Sequence, residues 1–134
     1  MKHIQTRKTA QQIILFLIIA AACVLRLYNL SYYDFWYDEA YSVIRATNII
    51  RFLHHMKNVY QPPLYYILLH FFIRAGGPSE TVVRTLSFLA GVGTIPLIFS
   101  VGKRFLSHGH SLLLSAFFAV SPLYIWYSQE ARVY

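Results

Sequence analysis

Ile13-Ile14-Leu15-Phe16-Leu17-Ile18-Ile19-Ala20-Ala21-Ala22-Cys23-Val24-Leu25 runs without a polar side chain, and Leu27 to Leu30 extends the apolar character past Arg26. A helix that crosses the hydrocarbon core needs about 20 residues, with a lower limit near 17. The run reaches that length when Arg26 is placed near one end, its guanidinium snorkelling to the headgroups. The predicted span covers about 11–30. A basic start (Lys2, Arg7, Lys8) before a short apolar run also fits a cleaved signal peptide, with Ala20-Ala21-Ala22-Cys23 as a cleavage-like site. The continuation through Leu30 favours the span.

The rest of the chain agrees with a membrane setting. Of 134 residues, 57% are hydrophobic and only 13% are charged, which sets the chain apart from soluble domains. The net charge of +7 points first to a Lys/Arg bias on the cytoplasmic side. No nucleic-acid-binding motif accompanies it. The single cysteine, Cys23, cannot form an internal disulfide. The histidines are badly spaced for a metal: His54 and His55 are neighbours that diverge on a helix, and His108 and His110 sit in a basic turn.

Val82 to Gly102 is a second full-length span. Ser87, Ala90, Gly91, Gly93 and Thr94 give it a small-residue surface on which another helix can approach closely, and Pro96 predicts a kink. Ser111 to Tyr127 is the third, with Pro122 near its end and a collar of Tyr124, Trp126 and Tyr127. Between the first two spans, Ala40 to Met56 reads as an imperfect amphipathic helix. Its apolar arc is Tyr41, Ile44, Phe52, Leu53 and Met56, interrupted by Arg45. Gln61-Pro62-Pro63 breaks the chain and Pro63 opens another helix. Leu64 to Ile73 is too short to cross, and Ala75-Gly76-Gly77-Pro78 closes it. The fold class is therefore all-α integral membrane, with about three transmembrane helices and membrane-parallel helices in the segment 31–81.

The N-terminal cluster and the Lys103-Arg104 turn are the natural cytoplasmic ends. An even number of crossings must separate them, which the runs at 11–30 and 82–102 supply. The expected topology is multi-pass in the plasma (inner) membrane, with the N-terminus cytoplasmic and the segment 31–81 outside. The third span then delivers Glu130 and Arg132 to the same outer face as Asp38, Glu39 and Arg84.

Acidic residues are scarce, and two of them adjoin in Phe35-Trp36-Tyr37-Asp38-Glu39-Ala40-Tyr41. A carboxylate at a bilayer boundary is costly without a partner or a task. Asp38 suits a general base toward an acceptor hydroxyl, being the shorter and stiffer of the pair. Adjacent side chains diverge on a helix, so one is expected to do chemistry and the other to orient or bind. Arg84 or Arg132 could hold a lipid phosphate in its planar fork. A bland reading stands beside this one. Acids at 38 and 39 also suit a helix N-terminus, Arg84 can snorkel, and Glu130 and Arg132 can form a solvated tail.

The motif residues resemble the C-type (GT-C) membrane glycosyltransferases, in the protein O-mannosyltransferase and aminoarabinose transferase branch (glycosyltransferase family 39-like). Trp36-Tyr37-Asp38-Glu39-Ala40 is similar to that family's Asp-Glu motif, and Gln61-Pro62-Pro63-Leu64-Tyr65-Tyr66 to its Pro-Pro-Leu motif. Arg84-Thr85-Leu86-Ser87 resembles the start of the second span. Ser121-Pro122-Leu123 with Tyr127-Ser128-Gln129-Glu130-Ala131-Arg132-Val133-Tyr134 resembles the outer end of the third. The resemblance implies glycosyl transfer from a polyprenyl-phosphate-linked sugar to an acceptor glycan, lipid or protein on the outer face. Asp38 and Glu39 would be catalytic, and Arg84, Glu130, Arg132 and Gln61 substrate-binding. Gln61 stands where relatives often have His or Lys. No cofactor is implied with certainty, although a carboxylate pair offers oxygen ligands to a divalent metal. Family members continue through many more spans, so the chain is expected to be the N-terminal part of such an enzyme. The competing expectation is a non-catalytic small membrane protein acting as an assembly partner. A transporter fragment fits less well, because the charges cluster at the span ends.

Overall fold

The computed structural model describes residues 2–28, 30–32, 34–54 and 62–132, with side chains described from residue 9 onward. Seven helices account for nearly all of this: α1 (Lys2–Leu27), α2 (Tyr37–Thr47), α3 (Ile49–His54), α4 (Pro63–Gly76), α5 (Glu80–Gly102), α6 (His108–Val120) and α7 (Pro122–Ser128). Two stretches, Thr9–Leu27 and Glu80–Gly102, are long and apolar enough to cross a membrane; α6 and α7 make a third if the bent pair counts as one span.

The ends of these helices have local causes. Pro63 opens α4 at a position where a missing N–H costs nothing. Gly77 stops it with φ of 84°, a left-handed conformation that a Cβ would strain. At 14 residues α4 is about 21 Å long, shorter than a hydrocarbon core of about 30 Å. Ser107 caps α6 by accepting from the His110 N–H at 3.4 Å. α5 runs on as one helix through Pro96. Pro122 has the larger effect: it cannot donate an N–H, Ser121 turns extended, and α7 leaves α6 at 59°.

α5 is the central element, touching α1, α4, α6 and α7. One core joins Ala22, Ile95 and Ala119 from α1, α5 and α6, where small side chains let the backbones approach. A second joins Ala46, Leu69, Val83 and Ala131, packing α2 and α4 against the start of α5 and the residue run after α7. Ile13, Phe16, Leu17 and Val24 on α1, Leu97 on α5 and Leu113 on α6 remain exposed, an oily outer surface of the kind a bilayer covers.

Two expectations need correction. The single amphipathic helix over 40–56 is two helices, because the chain turns at Asn48, whose side-chain amide donates to the Ile44 carbonyl at 3.1 Å. Its inward face is Glu39, Ser42 and Ala46, with Phe52 from α3, whereas Tyr41, Ile44 and Leu53 stay exposed. Met56 lies outside the described residues. Arg26 does not snorkel. It is 1% exposed and donates to the carbonyls of Ala22, Phe118 and Ala119 at 3.3, 3.2 and 2.9 Å, and to Ser128 Oγ at 3.2 Å. The break at Ser121-Pro122 leaves α6 carbonyls without helical donors, and Arg26 supplies them. The favour is returned: Gln129 Nε2 donates to the carbonyls of Arg26 and Tyr28 at 3.2 and 2.7 Å, where α1 ends.

Candidate functional site

Asp38 and Glu39 occupy the first turn of α2, about 100° apart around the helix axis, and this divergence sends them into opposite environments. Glu39 is fully buried. Its Oε1 accepts from Arg84 Nε at 3.0 Å and from the Ala131 N–H at 2.8 Å. Its Oε2 accepts from Arg84 Nη2 at 2.7 Å and from the Trp36 N–H at 3.2 Å. Arg84 also donates to the carbonyls of Leu30 and Asp34 at 2.9 and 3.3 Å. The pair thus ties the segment before α2, the second turn of α5 and the chain beyond α7 to one point. Arg84 is not snorkelling; it is 3% exposed and committed to these partners.

Burial alone would push the Glu39 carboxyl upward. The Arg84 guanidinium and the Ala131 and Trp36 N–H groups outweigh it and hold the carboxyl below the usual carboxylate range. Glu39 also fulfils the helix-capping reading of the acidic pair, since it accepts the N–H of Trp36 three residues earlier.

Asp38 faces out, with 59% of its side chain exposed, and meets Arg132 Nη2 at 3.1 Å. Arg132 Nε lies 3.5 Å from Glu130 Oε2, and Glu130 is itself buried. Five of the six expected site residues (Asp38, Glu39, Arg84, Glu130 and Arg132) therefore form one cluster. Gln61 lies outside the described residues.

Arg132 also stands on the wall of a cleft of about 470 Å3 between α4, α5, α6 and α7. The cleft is mostly apolar, lined by Tyr65, Leu68, Gly91, Ile95 and Phe118. The Tyr65 hydroxyl is buried, and burial pushes its pKa up to about 12. Tyr65 and Arg26 were not singled out as site residues from sequence. The one available signal was an arginine within an apolar run, which calls for a partner.

The carboxylate pair does not make a two-ligand metal site, because Glu39 is enclosed by two backbone N–H groups and the Arg84 guanidinium while Asp38 faces away. Among the described residues no three His, Cys, Asp or Glu side chains converge as metal ligands would. Compared with models of protein families, with curated proteins and with solved structures, the chain matches none. The likeness to the C-type glycosyltransferases rests on the motif residues alone.

Proposed function

We propose that this chain carries the catalytic edge of a membrane glycosyltransferase that moves a sugar from a polyprenyl-phosphate carrier to an acceptor on the outer face of the plasma (inner) membrane. The observation that supports the reading is the division of labour between two adjacent acids. Glu39 is locked by Arg84, whereas Asp38 is exposed beside Arg132, which lines an apolar cleft.

In this reading Asp38 takes the proton of the acceptor hydroxyl as that oxygen attacks the anomeric carbon, and the bond from that carbon to the carrier phosphate breaks. Arg132 is the arginine suited to the departing phosphate: 31% of its side chain is exposed, whereas Arg84 is spent on Glu39. Glu130 orients Arg132. Glu39 and Arg84 act as positioning residues that set the depth and direction of Asp38. Gln61 is proposed as a further substrate contact on the motif alone.

The test is transfer of a radiolabelled hexose from a polyprenyl phosphate by membranes containing the protein. Asp38→Asn should lower transfer at least about a hundredfold while the protein still inserts and accumulates. Near-normal transfer by that variant removes Asp38 from the mechanism.

A further inference from the structure

The far end of α2 carries a second hollow, away from the acidic cluster, with basic side chains in its lining. Thr47 is nine residues beyond Asp38, about 14 Å along the helix axis. There a pocket of about 660 Å3 opens between α2, α3 and α4. Arg51 and His54 reach its lining from α3, His70 and Arg74 from α4, and Ile49 and Ile50 complete its apolar part. Among the described residues no acid lines it. Asp38 and Glu39 stand at the opposite end of α2.

A simpler account is available for each cation taken singly. Arg51, His54 and Arg74 lie in the last turns of their helices, where positive charge complements the backbone dipole. That account does not explain why two different helices bring guanidinium groups to one hollow without a lining carboxylate. A cavity with a guanidinium group on each of two sides suits a phosphate group, which accepts forked hydrogen bonds. His70 has a different part. Its Nδ1 lies 2.8 Å from the Ala46 carbonyl, which can only accept, so the Nδ1 proton is donated there and the ring is a fixed wall of the hollow, not a donor to the phosphate.

The surroundings indicate which phosphate. Ile50 belongs to the pocket and is 72% exposed, and Ile44, Leu53 and Phe71 on the same three helices are exposed as well. A soluble phosphate has no use for an oily rim. A phospholipid has, because its acyl chains lie beside its headgroup. Basic groups next to exposed apolar side chains on short helices are what an anionic membrane surface holds.

We propose that the pocket lined by Arg51, His54, His70 and Arg74 binds the headgroup phosphate of an anionic glycerophospholipid, with Ile50 against the start of its acyl chains. The site anchors the α2–α4 layer at headgroup depth. It does not depend on the glycosyl-transfer reading, since it shares no residue with the Asp38 cluster.

The test uses the full 134-residue chain in nanodiscs of phosphatidylcholine and phosphatidylglycerol, followed by native mass spectrometry of the lipids that stay bound. The wild type should retain phosphatidylglycerol over phosphatidylcholine. Arg51→Gln with Arg74→Gln should cut that preference about fivefold per arginine, or roughly twenty-five-fold together. Arg104→Gln, an exposed cation in the turn between α5 and α6, should leave it unchanged, as should Asp38→Asn. Equal retention of the two lipids by the wild type overturns the proposal. So does a loss as large in Arg104→Gln as in the double variant. Millimolar inorganic phosphate added to the nanodiscs is the last arm. If it abolishes the preference, the pocket is a site for free phosphate and the lipid assignment is wrong.

Discussion

Glu39 and Arg84 stand 45 residues apart in sequence and meet through two parallel hydrogen bonds of 3.0 and 2.7 Å, both side chains out of contact with solvent. Removing either partner leaves the other as a buried, uncompensated charge or an orphaned polar group. Glu39→Gln and Arg84→Met should each lower stability in detergent by about 3–5 kcal/mol. Replacing both residues by Met should cost far less than the sum of the two. Asp38→Asn, at an exposed ion pair, should stay within about 1 kcal/mol of the wild type. Denaturant titration followed by tryptophan fluorescence measures all of these, and equal losses from Asp38→Asn and Glu39→Gln would contradict the assignment.

The same pair sets an acid limit. Because the folded protein holds the Glu39 carboxyl below its unfolded value of 4.5, the folded state binds a proton less readily than the unfolded chain. The stabilisation is complete above the unfolded value and is lost as pH falls through the folded one. Melting temperature should therefore hold steady from pH 7 to about 5 and drop below pH 4.5, more steeply in the wild type than in Glu39→Gln. A parallel fall in both proteins would assign the acid sensitivity to other groups.

Gly91 should tolerate no side chain. A Cβ there would collide with the Ser128 hydroxyl, which accepts from Arg26 Nε, and lie 2.8 Å from the Ser128 Cβ. Gly91→Ala should cost about 1–3 kcal/mol through overpacking. Gly93→Ala, with nothing within 4 Å of the added carbon, should be neutral or slightly stabilising. If the two variants melt together, α5 and α7 are not packed at this point.

The crossing of α5 has a direct readout. With Cys23 replaced by Ser, a cysteine at Ser79 and one at Gly109 should be labelled from opposite sides of the membrane by an impermeant maleimide. Both positions are exposed, and Ser79 avoids the left-handed backbone of Gly77. Labelling from one side only would mean that α5 does not cross.

How much of this was legible in the sequence follows from the range of the forces involved. The limits of α4 come from Pro63 and Gly77 acting on their own backbone, and these were visible. The turn at Asn48 was not, because a side chain bonding back to the Ile44 carbonyl ends a helix without the usual Gly or Pro. Divergence of Asp38 from Glu39 was predictable from the helical angle. Which of them turned inward was not, because that depended on Arg84 and Ala131, far along the chain. Arg45 spoiled the apolar arc on paper. Its guanidinium lies 4.1 Å from the Tyr41 ring and donates to the Tyr41 and Tyr66 hydroxyls at 3.1 Å each, so Tyr41 of the arc and Tyr66 of α4 together accommodate it.

The exchange between Arg26 and the end of α6 also imposes an order in time. The Ala119 carbonyl is 93 residues downstream of Arg26. At 5–20 residues per second, synthesis of that interval takes roughly 5 to 20 s. Throughout this delay Arg26, one residue from the end of α1, has none of its final acceptors from α6. The bend at Pro122 is thus what completes the polar shell around Arg26, and it does so last.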